Sequence, residues 1–108
     1  MAIPTPTDNG KQVLVYSKPS CTACTNVKRW LTARSIPFME LDITTDENIA
    51  LAKIRGIASA PMVVIQPAGA AIEDDSQAIV FSGFRPDVLQ GQFPDAATTD
   101  VDVDAKAA

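Results

Sequence analysis

Hydrophobic and polar positions along the chain predict strands and helices in alternation. Compact or alternating apolar runs predict strands at residues 12–16, 38–43, 62–65 and 78–81. Apolar residues three or four apart predict a helix over residues 21–34, a second between Thr44 and Gly56, and a short third over residues 87–93. The order β-α-β-α-β-β-α predicts an α/β fold, a four-stranded mixed sheet with helices on both faces.

The ends of these elements carry local signals of their own. Ser20 is a plausible N-cap for the first helix, and Thr44 with Glu47 forms a capping-box pattern before the second. Pro86 occupies the position that proline favours at the start of a helix. The stretch from residue 66 to 77 is polar and predicts a long loop.

The 108 residues suffice for one domain. We expect a flexible lead-in over residues 1–10, a folded domain over residues 11–93 and an acidic disordered tail over residues 94–108. The first ten residues lack the basic and apolar regions of a secretory signal, and no apolar run reaches the ~18 residues that a membrane span needs. A cytoplasmic location without membrane contact is therefore expected.

The net charge and the absence of histidine exclude several classes of partner and of catalytic site. The net charge of −4 argues against nucleic acid as a partner, although the segment from Lys11 to Arg34 contains no acidic residue. The absence of histidine excludes histidine-based catalysis and histidine metal ligands. The two cysteines could only half-fill a zinc site, so no metal is expected.

The most informative motif is Cys21-Thr22-Ala23-Cys24, which follows a predicted strand and opens a predicted helix. A cysteine at a helix N-terminus is favoured as the thiolate, the reactive form, and Lys18 three residues upstream adds positive charge. A purely structural disulfide is the less favoured interpretation because so short a loop removes little chain entropy. Metal binding lacks further ligands, so the pattern favours thiol–disulfide chemistry.

Three segments resemble known redoxins. The run from Val13 to Pro19, with Cys21 and Cys24, resembles the opening of glutaredoxins. Residues 56–61, ending in Ala60-Pro61, resemble the segment that holds the cis proline of that family. The string Phe81-Ser-Gly-Phe-Arg-Pro-Asp closely resembles the Trp-Ser-Gly-Phe-Arg-Pro-Asp signature of NrdH-type redoxins.

The resemblance implies a thioredoxin fold and a monomeric electron carrier with no cofactor beyond its redox-active cysteine pair. Such proteins pass electrons from NADPH, through thioredoxin reductase, to class Ib ribonucleotide reductase. It implies that Cys21 is the attacking thiol and Cys24 the resolving thiol. Residues implied to contact substrates and partners are Lys18, Ala60, Pro61, Ser82, Gly83, Phe84 and Arg85.

The chain departs from the NrdH pattern at Phe81, at Thr22-Ala23 where the family commonly has Val-Gln, in the longer loop over residues 66–77, and in the tail. Two other functions remain open, a glutathione-dependent glutaredoxin and a non-catalytic binding module. Phe84 could cover the local core or contact partners, and Arg85 could hold a partner carboxylate or form a local ion pair. Trp30 is expected to pack in the core.

Overall fold

The computed structural model describes residues 10–72, 74 and 76–93. The predicted tail, and all of the predicted lead-in except Gly10, lie outside the described residues. The predicted element order is confirmed. The elements are β1 (Lys11–Ser17), α1 (Thr22–Ala33), β2 (Met39–Asp42), α2 (Asp46–Ile54), β3 (Met62–Pro67), β4 (Ile79–Ser82) and α3 (Pro86–Gln92).

The four strands form one mixed sheet in the order β2-β1-β3-β4. β1 runs parallel to β2 through the α1 connection, whereas β3 is antiparallel to both β1 and β4. The register pairs Tyr16 with Met62 and Met62 with Ser82. The end of β1, the start of β3 and the end of β4 therefore meet at one edge of the sheet, where the α1 connection begins.

Helices cover both faces of the sheet, as predicted. Val13 and Val15 of β1 pack into one core cluster with residues of α1 and α3, including Leu31 and Leu89. Because successive strand residues point to opposite faces, Leu14 and Tyr16 pack on the other side, against α2. This two-faced burial explains why β1 is apolar without alternation, and it fixes the strand that leads into the cysteine motif.

The predicted helix caps are wrong by one residue at two sites. The N-cap of α1 is Cys21, because Ser20 takes a left-handed backbone conformation with φ of 58° and lies outside the helix. The N-cap of α2 is Thr45, whose Oγ1 accepts a hydrogen bond from the Asn48 N–H. The Thr44 hydroxyl is engaged elsewhere, because it donates to the Asp42 carboxylate at 2.6 Å. Pro86 does open α3, as expected.

The predicted start of the long loop is also wrong, because β3 continues through Gln66 to Pro67. Gln66 is buried beside Gln12 of β1, and the Gln12 side-chain amide donates to Gln66 Oε1 at 2.6 Å. Gln66 Nε2 in turn donates to backbone carbonyls of Ala71 and Asp74. The buried amide groups of Gln12 and Gln66 are thus hydrogen-bonded to each other and to backbone carbonyls of the loop, which allows both polar side chains to be buried in the sheet.

Candidate active site around the Cys21–Cys24 pair

The two cysteines lie at the start of α1 and are joined by a disulfide, with a Cα–Cα distance of 5.3 Å. A separation of three residues in the first helical turn brings both side chains to the same side. Cys21 is the N-cap, and its Sγ accepts a hydrogen bond of 3.1 Å from the Cys24 backbone N–H. The sulfur thus takes the place of the oxygen that usually satisfies a first-turn N–H group.

The two sulfur-bearing residues differ sharply in exposure. Cys24 is 1% exposed, whereas Cys21 is only half-buried. A thiolate or disulfide from another molecule can therefore approach Cys21 more readily than Cys24.

The backbone around Cys21 favours a negative charge in the reduced state. The first turn of α1 contains no acidic side chain, and its N–H groups and helix dipole point towards the N-cap. Lys18 is exposed in the connection from β1 to α1. Backbone N–H groups at a helix start favour a cysteine thiolate, which is the attacking species in disulfide exchange, and Lys18 lines the same groove as Cys21.

An open groove lies beside the disulfide, between the start of α1 and the end of β2. Its charged lining residues are Lys18, Lys28, Glu40 and Asp42, and both cysteines contribute to it. Glu40 Oε2 accepts hydrogen bonds from Lys28 Nζ at 2.7 Å and from Ser17 Oγ at 2.6 Å. The Lys28 hydrogen bond, followed by that of Ser17, holds the pKa of the Glu40 carboxyl below its usual range.

Sequence reasoning missed this Lys28–Glu40 pair. In the sequence, Glu40 is only a polar position in an alternating run, and Lys28 is one of several basic residues between Lys11 and Arg34. The sequence does show that Lys28 follows Cys24 by one helical turn and therefore lies near the cysteine motif. It does not show that Glu40 is close to Lys28, because that depends on the pairing of Glu40 with Val15 in the sheet register.

A second cluster lies at the same sheet edge but does not line that groove. The Ala60-Pro61 peptide bond is cis, as the resemblance implied. The Gly83 backbone N–H donates to the Pro61 carbonyl oxygen at 3.0 Å, so the turn after β4 is held against the start of β3. The structure thus brings Ala60, Pro61, Ser82 and Gly83 together, and the sheet register places them next to the connection that carries Lys18.

The structure also shows the contacts of Phe84, Arg85 and Trp30. Phe84 is half-buried and packs against the core cluster of α1 and α3. Arg85 is exposed and binds Asp87 through two hydrogen bonds, of 3.2 and 3.0 Å. Trp30 is buried in the core, as predicted, and the Arg34 guanidinium lies 3.9 Å from its ring centroid.

Among the residues that the structure describes, no three histidine, cysteine or acidic side chains lie close enough together to hold a metal ion. Within the same part of the chain, no helix has the length and apolar character needed to cross a bilayer. Neither finding bears on the residues outside the described ranges.

Comparison of the sequence with known proteins identifies a family and two similar proteins. The glutaredoxin family matches residues 13–67. The glutaredoxin-like protein NrdH of Lactococcus lactis subsp. cremoris is 36% identical over 78 residues, which cover 71% of this chain and 93% of that protein. The global transcriptional regulator Spx 2 of Lactococcus lactis subsp. lactis is 30% identical over 90 residues, but only 68% of that protein is covered.

The fold is also shared with a solved structure. The glutaredoxin-like protein NrdH-redoxin from Escherichia coli, described with a thioredoxin-like activity profile, superimposes with a TM-score of 0.55 at 23% identity. The match covers 74% of this chain and 92% of that one. The four-stranded sheet and three helices are therefore a thioredoxin-like fold.

Proposed function

The chain belongs to the glutaredoxin family and within it to the NrdH-type redoxins, and from this premise we propose that it carries electrons from NADPH, through thioredoxin reductase, to class Ib ribonucleotide reductase. Its reaction class is thiol–disulfide oxidoreduction at Cys21 and Cys24. The proposal includes the electron donor, the electron acceptor, a monomeric state and a cytoplasmic location. It also includes the absence of any cofactor other than the cysteine pair.

The observation that supports this function most directly is the unequal exposure of the two cysteines at the start of α1. In the proposed cycle, the Cys21 thiolate attacks one sulfur of the target disulfide, and the other target sulfur leaves as a thiolate. The Cys24 thiolate then attacks Cys21 Sγ in the mixed disulfide, which releases the second target thiol and closes the Cys21–Cys24 disulfide. Two electrons and two protons pass in total from the redoxin to its target.

Reduction of the redoxin reverses these steps with a dithiol reductase as donor. We infer that the surface for such protein partners includes Lys18, the turn from Ser82 to Arg85 and the half-buried Ala60, with the buried Pro61 supporting it from beneath. The hydrogen bond from Gly83 to Pro61 supports this inference, because it joins two of the segments into one surface. An aromatic residue and an arginine in that turn are types favoured at the centres of protein interfaces.

The alternative function is that of a glutathione-dependent glutaredoxin. A small anionic peptide needs close approach to backbone amides, which glycine pairs permit. In this chain the turn carries Phe84 and Arg85 after a single glycine, and the Arg85 guanidinium is already hydrogen-bonded to Asp87. These features favour a protein donor over glutathione. A binding module without catalysis is disfavoured by the intact cysteine pair.

Ribonucleotide reduction in a purified system tests the acceptor side of the proposal. The assay contains NADPH, thioredoxin reductase, class Ib ribonucleotide reductase and the redoxin, and it measures deoxyribonucleotide formed. We expect turnover that depends on the redoxin and is lost in the Cys21→Ser variant. Failure of the wild-type redoxin to support turnover, while it still reduces a simple protein disulfide, would overturn the proposed acceptor.

A further inference from the structure

A carboxylate–ammonium pair lies in the groove beside the disulfide, where the disulfide exchange chemistry does not itself require it. Glu40 Oε2 is the shared acceptor for the Lys28 ammonium and the Ser17 hydroxyl. Ser17 is buried at the end of β1, so its hydroxyl gives the Glu40 carboxylate a fixed support. The pair itself is partly exposed, with side-chain exposures of 31% for Lys28 and 48% for Glu40.

The helix geometry relates Lys28 to both cysteines. Lys28 follows Cys24 by four residues and Cys21 by seven, so all three lie on one face of α1. The Lys28 ammonium is held by Glu40 Oε2 at 2.7 Å. Helical side chains lean towards the N-terminus of the helix, which is the end at which the cysteines lie. All three residues line the same groove, together with Glu40.

We propose that Glu40 is a positioning residue that holds the Lys28 ammonium in this groove and limits how strongly that cation stabilises the Cys21 thiolate. The inference rests on the dithiol chemistry of the cysteine pair and is independent of which proteins donate or accept electrons. Glu40 would thus tune the redox properties of the cysteine pair although its hydrogen bonds are to Lys28 and Ser17 and not to either sulfur.

The charge balance explains the direction of the effect. In the oxidised protein the disulfide is neutral, and Lys28 is paired with Glu40. Reduction adds two electrons and two protons, and ionisation of the Cys21 thiol then releases one proton and leaves an anion at the start of α1. This anion and the Glu40 carboxylate compete for the same ammonium, so Glu40 raises the free energy of the thiolate state.

A less stable thiolate makes the reduced protein a stronger electron donor, because the disulfide form is then relatively favoured. The other charged groups that line the groove are Lys18, on the connection from β1, and Asp42, on β2. The Asp42 carboxylate is bound to the backbone N–H and hydroxyl of Thr44, so it does not hold Lys28 in the way that Glu40 does.

Titration of the thiolate in the purified, reduced protein tests this role without any partner. Ultraviolet absorbance of the thiolate is followed against pH in the wild type, Glu40→Gln, Lys28→Gln and the double variant. Glu40→Gln is expected to lower the titration midpoint, with about threefold more thiolate at a pH below that midpoint. Lys28→Gln is expected to raise the midpoint by a similar amount. The double variant is expected to titrate close to Lys28→Gln, because Glu40 acts through the Lys28 ammonium.

The matched control is Glu47→Gln, which removes a carboxylate from the exposed first turn of α2, outside the groove. It is expected to titrate as the wild type does. Equilibration with a thiol–disulfide buffer above the titration midpoint supplies a second readout, in which Glu40→Gln is expected to have a less negative reduction potential. Thermal unfolding of each variant verifies that it is folded.

The proposal is overturned if Glu40→Gln shifts the midpoint no more than Glu47→Gln does, or if it shifts the midpoint upward. It is also overturned if the effects of Glu40→Gln and Lys28→Gln have the same sign. Because none of these measurements uses a reductase or a target protein, their failure leaves the proposed electron donor and acceptor untouched.

Discussion

The backbone N–H of Gly83 donates a 3.0 Å hydrogen bond to the carbonyl oxygen of Pro61. This contact connects the turn after β4 to the residue that precedes β3, beyond the last paired residues of the two strands, Met62 and Ser82. It places the Ser82 to Arg85 turn at the sheet edge from which α1 and its cysteines begin. The arrangement depends on the backbone of Gly83, whose φ of 79° lies in the left-handed region.

Gly83→Ala is expected to destabilise the protein by about 1–2 kcal/mol, because an L-residue is disfavoured at this φ. A Cβ at Gly83 would meet no atom within 4 Å, so the cost comes from the backbone and not from a steric clash. Denaturant unfolding monitored by circular dichroism measures it. Gly91→Ala is the matched control, since Gly91 lies in α3 with equally open space around it and should gain stability. Equal stability of Gly83→Ala and the wild type would show that the left-handed turn is not required.

The assigned roles of the cysteines predict a difference between two single variants. Cys24→Ser is expected to accumulate a mixed disulfide with a protein target, because half-buried Cys21 can attack but nothing resolves the product. Cys21→Ser should accumulate none, since Cys24 is buried. Non-reducing electrophoresis after incubation with an oxidised target measures the adduct. Equal adduct from the two variants would contradict the assignment.

The sequence predicted the framework of this protein because the relevant signals are local. The apolar runs of the four strands and the helical spacing of the three helices predict the element order, and the position of the cysteine motif between β1 and α1 predicts the cysteine site. The N-caps at Ser20 and Thr44 were predicted wrongly because the cap position depends on backbone angles and on nearby hydrogen-bond partners. Ser20 has a left-handed backbone conformation, and the Thr44 hydroxyl donates to Asp42.

Other features depend on contacts between distant segments. Gln66 belongs to β3 because its amide pairs with Gln12, 54 residues away, and no local pattern carries that information. The Lys28–Glu40 pair likewise requires β2 to lie parallel to β1 beneath α1. The pair is therefore evident only from the three-dimensional structure.

The Glu40 carboxylate predicts a pH dependence of stability. Hydrogen bonds from Lys28 and Ser17 lower its pKa in the folded protein from the usual 4.5. A lowered folded-state pKa contributes stability that is fully present above the unfolded value and is lost as the pH falls through the folded value. Glu40→Gln should therefore be slightly less stable than the wild type at neutral pH, and the difference should vanish in acid. Thermal unfolding from neutral pH to below pH ~4 tests this sign. A difference that grows as the pH falls would contradict it.

Phe84→Ala is expected to weaken the reaction with thioredoxin reductase severalfold, by raising KM, because it removes an aromatic contact from the proposed partner surface. Reaction of Cys21 with a small aromatic disulfide should be unchanged. Phe84 also packs on the core, so Phe38→Ala, which truncates another partly buried phenylalanine on the same cluster, controls for lost stability. An equal rise in KM for both variants would assign the effect to packing and remove Phe84 from the partner surface.

The identity of the electron donor most clearly separates an NrdH-type redoxin from a glutathione-dependent glutaredoxin. The direct measurement is the rate at which the Cys21–Cys24 disulfide is reduced by two donor systems, followed by NADPH consumption with a protein disulfide as final acceptor. One system contains thioredoxin reductase, and the other contains glutathione and glutathione reductase. We expect rapid turnover with thioredoxin reductase and slow turnover with glutathione at cellular concentrations. Turnover with glutathione as fast as that with thioredoxin reductase would contradict this expectation and favour the glutaredoxin function.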